Sequence, residues 1–377
     1  MPTSPDIKKL LFRARLQLEE ETTEEAFNVL QNLTSDDERE QKEIRYLTGW
    51  AYIQRQEWAK AIERLAPILK KAEEDLLSEQ AQLTDREQLA HYLLQLGIAA
   101  INLENYQDAS LHLTLCLKVL HDRRVHMPRV RIQARYSLAT ACLMRGLLRA
   151  ALQHYEDALR LCDHYQLDDE RGNIYYGLAY TYRDMADLLA AASYAQKALD
   201  FFQERDNGIM ECRMQNLMGR ITLLLGDYKG AAQYFTVSLA QANFYESPLM
   251  AMLNCAALAD LRLFEGNVEE ARPYIDIALK SAKKLNGVLT HIPYQIAGKV
   301  AYKEAQGAEG QRRYELLRKA AAWYLQAVEK VKETQSYPEI AEIYGEYANV
   351  LEDLVQPQEA LHYWRKSYQV IEKRSLV

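Results

Sequence analysis

The chain has 377 residues, of which 46 are Lys or Arg and 53 Asp or Glu, giving a formal net charge of −7 and a pI near 5.7. This acidic balance opposes general binding to nucleic acid, whose backbone needs a cationic footprint. With 49% hydrophobic residues, 15 Gly and 9 Pro, the composition is that of an ordered protein with a substantial core. No apolar run approaches ~18 residues and no charged-then-apolar leader opens the chain, so neither a membrane span nor a signal peptide is expected. Cys116, Cys142, Cys162, Cys212 and Cys255 are odd in number, far apart and each inside a helical pattern. They read as reduced core residues of a cytoplasmic protein.

Residues 1–6, with Pro2 and Pro5, read as a loose lead-in. A short helix pair over residues 7–33 follows, with Thr22-Thr23-Glu24-Glu25 as its turn and N-cap. A DNA-reading helix-turn-helix would have to lie in this segment, which is too short for one and reads instead as an opening repeat. The charged segment from Lys70 to Gln88 suggests long exposed helix ends before the next unit begins near Gln88. Pro128, Pro248, Pro293 and Pro338 fall at or just before the start of a first helix, where a missing N–H costs nothing. Pro67 and Pro273 fall inside predicted second helices, which they are expected to kink or shorten. The unit at Arg213–Gln241 is the clearest: Gly219 lets a second helix approach, Gly226-Asp227 ends one helix and caps the next, and Ala231 sits at the crossing.

That unit recurs. Crossing alanines stand at Ala26, Ala61, Ala109, Ala151, Ala191, Ala231, Ala271, Ala320 and Ala360. Twelve residues before most of them lies a small residue: Ala14, Gly49, Gly97, Ala139, Ala179, Gly219, Ala259 or Ala348. The unit of Ala320 departs from this; its expected partner is Gly298, with Gly307 to Arg313 as an inserted loop. Gly146, Gly226 and Gly266 occupy the turn between paired helices. Gly219, Gly226-Asp227-Tyr228, Ala231 and Phe235, echoed by Gly49, Trp58 and Ala61, resemble the tetratricopeptide repeat family. The resemblance implies an all-α, right-handed superhelical solenoid of eight or nine helix-turn-helix repeats spanning residues 7–372, with 373–377 as a polar tail. The central spacing of forty residues is longer than the common unit of about 34, as longer helices would produce.

Enzymatic constellations are not found. There is no phosphate-cradling Gly loop and no Cys or His pair at metal spacing; His112 with Cys116, and Cys162 with His164, read as a core thiol near a surface imidazole. A non-catalytic protein with no cofactor and no metal is therefore expected. In a stack of this kind the first helices line a groove. Counting from the small residues puts Gln133, Tyr136 and Thr140 on it, then Asn173, Tyr176, Tyr180 and Arg183, then Arg213, Asn216 and Arg220. Arginine offers a planar fork for a carboxylate, Asn pairs with an extended backbone, and Tyr adds flat contact area. Asn173, Tyr176, Tyr180, Arg183, Arg213, Asn216 and Arg220 are thus expected to hold an extended peptide or protein segment, unless the arginines pair with acids such as Asp184 and Glu211.

The repeat length, with Asn173 and Asn216, resembles the long-repeat peptide-sensing regulators of the Rap and PlcR type. That resemblance implies a short peptide ligand and a DNA-binding effector protein as a partner. No stretch reads as the DNA-binding part of the PlcR type, which is therefore not expected here, and the opening segment reads as too short for the helical bundle of Rap proteins. A second candidate surface is the basic stretch Arg123, Arg124, Arg129, Arg131 and Arg135, read as a loop between two units, which could dock an acidic partner. The alternative reading is accordingly a general protein-complex adaptor acting through the convex face or this loop. The end Ser375-Leu376-Val377 resembles a ligand of PDZ-type domains, a match short enough to arise by chance.

Overall fold

The computed structural model describes residues 4–20, 22–76, 83–122, 124–285, 289–331 and 337–375. These form eighteen α-helices and no strand among the described residues. They fall into nine consecutive pairs, and in each pair the second helix carries one of the crossing alanines. The chain divides into two compact units, Met1–Ala141 with Arg160–Leu167, and Cys142–Leu159 with Asp168–Val377.

In the first unit, α1 (Ser4–Glu19), α2 (Thr23–Leu30) and α3 (Glu38–Gln54) pack on one another, followed by α4 (Trp58–Leu76), α5 (Leu83–Asn102), α6 (Tyr106–Val119) and most of α7 (Pro128–Met144). Thr22 precedes α2 but makes no side-chain cap; its hydroxyl instead donates to the Gln17 carbonyl at 3.0 Å. The helix α5 begins at Leu83, earlier than the expected start near Gln88. The second unit holds most of α8 (Leu148–Tyr165), then α9 (Arg171–Asp184), α10 (Leu188–Gln203), α11 (Gly208–Leu224), α12 (Tyr228–Phe244), α13 (Pro248–Phe264) and α14 (Val268–Ala282). It ends with α15 (His291–Gln306), α16 (Gly310–Val331), α17 (Tyr337–Asp353) and α18 (Pro357–Ser375).

The reason for a small residue twelve positions before the crossing alanine is visible at Gly219. A methyl group added there would meet the Phe235 ring at 2.6 Å, and at Gly49 and Gly97 it would meet Leu65 and Leu113 at 2.5 Å. In each of these pairs the large residue lies four positions after the alanine, so a missing side chain on one helix is filled by a ring or a branched chain from the other. Gly298 stands in the same relation to Tyr324, at 2.8 Å, as the irregular spacing there required. The crossing alanines from Ala26 to Ala320 are wholly buried, which lets the helix backbones come close.

Capping follows the register. Asn105, Asp187, Asn207, Asp227 and Asn267 each accept a hydrogen bond from the backbone N–H three residues on, as short oxygen-bearing side chains do at helix starts. Four of these caps lie four residues before a crossing alanine; Asn207 opens a first helix instead. The residue before each of those four is in the left-handed region: Gly226 and Gly266 as expected, but also Glu104 and Ala186. Gln56, Gly146 and Val355 occupy the same place in other pairs. The geometry of the turn, rather than glycine itself, is what repeats. Val355 is 84% exposed at φ +60°, so its side chain gives no packing in return for a conformation that costs an L-residue roughly 1–2 kcal/mol. Val355→Gly is expected to raise stability by about 1 kcal/mol, read as a higher midpoint in urea unfolding.

Two expectations are corrected. The stretch from Gly307 to Arg313 is a connector only over its first three residues: α16 starts at Gly310 and runs for 22 residues, because Gln311, Arg312 and Arg313 are helix formers and Arg313 pairs with Asp353 at 3.5 Å. Pro67 and Pro273 end neither helix; α4 and α14 continue through them to Leu76 and Ala282. Pro128 and Pro248 open α7 and α13, and Pro293 and Pro338 fall in the first turn of α15 and α17.

Candidate functional site

The predicted face lies on α9 and α11, both in the second unit. On α9, Tyr176 and Tyr180 meet edge to face at 4.8 Å between ring centroids. Arg183 lies over the Tyr180 ring at 4.4 Å and holds Asp184 through Nε at 2.8 Å and Nη2 at 2.6 Å. Its charge is therefore met within its own helix. Asn173 donates to Glu170 at 3.1 Å. Burial pushes the Tyr176 hydroxyl well above its ordinary pKa, with neighbouring Tyr180 adding to the shift and the positive charges of Arg213 and Arg183 opposing it.

On α11 the spacing 213, 216, 220 puts the three side chains on one stripe of the helix. Arg213 reaches only the Met210 sulfur, at 3.9 Å, and Arg220 is exposed. Neither makes an ion pair within 4.0 Å among the described residues, so Glu211 does not neutralise Arg213. Asn216 is only 5% exposed and its amide nitrogen is committed, donating to Asn254 Oδ1 at 2.8 Å. Asn254, fully buried, donates in turn to Ser238 Oγ at 2.8 Å and to the Met250 carbonyl at 2.9 Å. Ser238 Oγ donates its own proton to the Cys212 carbonyl at 2.7 Å. The seam joins α11, α12 and α13 and fixes which way the Asn216 amide points. Its Oδ1 accepts nothing among the described residues and is left as an acceptor.

Gln133, Tyr136 and Thr140 lie on α7 in the first unit, with the Thr140 hydroxyl donating to the Tyr136 carbonyl at 3.1 Å. The basic stretch is not a loop throughout, because α7 starts at Pro128 and takes Arg129, Arg131 and Arg135 into its first turns. Arg131 donates to the Leu120 carbonyl near the end of α6. Arg124 grips Asp122 at 2.8 Å and Arg86 holds the same carboxylate at 2.7 Å, keeping that acid well below the usual carboxylate range. Arg123 lies outside the described residues, as do Leu376 and Val377.

Two concavities escaped the sequence. In the first unit a cavity of about 180 Å³ is lined by Arg15, Tyr46, Trp50, Glu87, Gln88 and His91 among others. Trp50 stacks on His91 at 6.3 Å, and Arg15 pairs with Glu43 at 3.0 Å. In the second unit a pocket of about 310 Å³ opens between α13, α15 and α17, lined by Asp260, Phe264, Lys299, Tyr302, Tyr324 and Glu346 among others. Lys299 reaches Glu346 at 3.2 Å and Glu342 at 3.4 Å, and Gln295 donates to Glu346 at 2.8 Å. Burial raises the Asp260 and Glu346 carboxyls, with Lys299 opposing the shift in both. The signal in the sequence is the repeat register itself: continued beyond α11, it puts Asp260, Lys299 and Glu346 on successive first helices.

No group of three or more His, Cys, Asp or Glu side chains is placed to hold a metal among the described residues. No described helix is long and apolar enough to cross a membrane.

No protein-family model matches the chain, and no curated protein does. Solved structures do match in fold. A Rap protein complexed with competence and sporulation factor is similar over 99% of both chains, with a TM-score of 0.73 and 14% identity. NprR in complex with its cognate peptide NprX is similar over 97% of this chain and 99% of that one, with a TM-score of 0.64 and 15% identity. Aspartyl phosphate phosphatase F from Bacillus subtilis follows at 98% and 95%, with a TM-score of 0.56 and 13% identity. The chain thus has the helical-repeat fold of these proteins. The likeness to the Rap structure runs through the opening helices, so the segment that reads as too short for such a protein has its counterpart there.

Proposed function

We propose that the protein is a non-catalytic peptide-binding regulator, in the cytoplasm, that holds an extended peptide on the face formed by α9 and α11. The observation that carries this reading is the pair Arg213 and Arg220, two guanidinium groups one helical stripe apart, neither of them in an ion pair within 4.0 Å among the described residues, with Asp260 near enough to Arg220 for the charges to act on each other. A guanidinium without a bonded carboxylate on a polar face can take one from a ligand, and the charge-assisted bidentate contact is among the stronger polar ones. Asn216 adds a backbone-reading acceptor at a fixed angle, and Tyr176, Tyr180 and Asn173 add flat and polar contact. The similar NprR structure is a complex with a peptide, which agrees with this reading. Signalling would follow if a peptide bridging α9 and α11 favoured one arrangement of these helices, in proportion to its differential affinity; a DNA-binding effector is the partner class for that output.

The test uses a random hexapeptide library with free carboxyl termini, selected on the immobilised protein and read by mass spectrometry. Peptides retained by the wild type are expected to bind Arg220→Glu about tenfold more weakly, the loss of one charge-assisted contact. Unchanged affinity would remove the assignment of this face.

A further inference from the structure

From α10 to α16, each second helix is covered on two sides, by its own first helix and by the first helix of the following pair. On α10 the positions eight and eleven residues after the crossing alanine hold Leu199 and Phe202, buried in one cluster with Met214 and Leu217 of α11. On α16 the same positions hold Val328 and Val331, buried in the cluster that α17 shares. On α18, counted from Ala360, they hold Tyr368 and Ile371, which are 65% and 52% exposed. Leu361 and Trp364 are exposed too, and the spacing 361, 364, 368, 371 puts all four on one stripe of the helix. The helix packs on α17, which leaves this stripe uncovered among the described residues. A solenoid face turned to water is ordinarily polar; this one keeps the apolar pattern of a face made for a neighbouring helix.

We propose that this stripe is the contact face of a homodimer, occupied by α18 of a second copy of the chain running antiparallel to the first. A contact between identical helices must be self-complementary about a two-fold axis, and the charges beside the stripe meet that condition. Arg365 and Glu372 are both exposed and, seven residues apart, lie on one flank of the stripe two turns from each other. In an antiparallel pair related by a two-fold axis the same flanks face each other. With Tyr368 opposite its own counterpart, Arg365 of each copy then meets the partner's Glu372, so the ion pair forms twice. A parallel pair sets opposite flanks together and separates these charges. A carboxylate accepts from more than one cation, so the pairing stands alongside the contacts Glu372 has in its own chain. The same register brings Trp364 beside the partner's Ile371, an aromatic anchor of the kind that carries interface energy. The helix α18 has 19 residues and is about 28 Å long. One such helix pair buries less than the roughly 800 Å² per partner of a standard interface. A weak dimer is therefore expected, half-formed at about 10 μM. It does not depend on the peptide-binding reading, since no residue of α9 or α11 takes part.

Analytical ultracentrifugation of the full chain from about 1 to about 100 μM tests this. The wild type is expected to pass from monomer to dimer across that range, and Tyr368→Glu to stay monomeric throughout. Arg365→Glu and Glu372→Arg, each alone, set like charges against each other at both ion pairs and are expected to weaken the dimer about tenfold. Mixed in equal amounts, the two variants bring opposite charges together again and should associate about as tightly as the wild type. Circular dichroism reports whether each variant is folded; all three positions are exposed, and the two charge reversals decide the matter should Tyr368→Glu not fold. A wild type that is monomeric at about 100 μM, a dimer that persists in folded Tyr368→Glu, or a mixture of the charge variants that associates no more tightly than either alone overturns the proposal.

Discussion

Replacing Asn254 with alanine is expected to destabilise the second unit by about 3 kcal/mol, combining a small cavity with two buried polar groups left without partners. Asn254 is the one residue of the seam that touches every other member of it but the Cys212 carbonyl: it accepts from Asn216 and donates to Ser238 and Met250. Its removal strands the Asn216 amide and takes away one of the donors within reach of Ser238 Oγ, leaving the Cys212 thiol at 3.3 Å. Asn216→Ala removes a single bond at the edge of the seam and is expected to cost about 1 kcal/mol. The double variant should be less destabilised than the sum, because the two residues share one bond. Chemical unfolding of the four proteins measures this; strict additivity would show that the Asn216–Asn254 bond contributes nothing.

Acid should weaken the protein through His91. Burial, with a contribution from nearby Arg15, pushes its pKa from 6.5 down to about 4, so the folded chain holds this imidazole neutral. Above pH 6.5 both folded and unfolded forms are neutral there and the residue's contribution is fully present. As pH falls from 6.5 toward 4 the unfolded chain takes up a proton that the folded one refuses, and stability is lost across that window. At pH 5 the loss is about 2 kcal/mol, at 1.36 kcal/mol per pKa unit. Stability measured at pH 7.5 and pH 5 should differ by that much more in the wild type than in His91→Phe, which keeps an aromatic ring against Trp50. Equal pH dependence in the two proteins would mean that the imidazole titrates normally. The carboxylates of Glu43 and Glu87 flank the same cavity and are common to both proteins, so their own titration cancels in the comparison.

The repeat is legible because its cause is local. An alanine at the crossing, a small residue opposite, and an Asn or Asp cap each answer a steric or hydrogen-bonding need that recurs in nearly every pair, and the glycines at positions 146, 226 and 266 punctuate it. Where a pair satisfies the same need with a different residue, the signal fails. Ala186 and Val355 adopt the turn conformation with nothing in their chemistry to announce it, and Gly298 stands outside the regular spacing. The candidate face is legible only in part. Register alone puts Arg213, Asn216 and Arg220 on one stripe, yet whether a side chain there is available depends on neighbours distant in the chain. Arg183 finds Asp184 beside it, while Asn216 is claimed by Asn254, 38 residues away. The pocket at Asp260 assembles four helices, and no single stretch of sequence carries it. In the basic run from Arg124 to Arg135 the fold gives two of the arginines separate partners that the sequence does not announce, Arg124 at Asp122 and Arg131 at the Leu120 carbonyl.

Each of the five cysteines is buried with a free thiol. Burial pushes the Cys116 thiol up to about 12 and raises those of Cys142, Cys212 and Cys255. A thiol reacts as its thiolate, so in the folded chain these four are shielded twice, by sterics and by protonation. They sit on α6, α7, α11 and α13. Any alkylation at neutral pH must therefore wait for the surrounding helices to part, and the position labelled identifies which ones did. The protein carries its own set of internal clocks for local opening, spaced along the repeats, and a ligand that tightens α11 against α13 would slow those at Cys212 and Cys255 while leaving the one at Cys116 running.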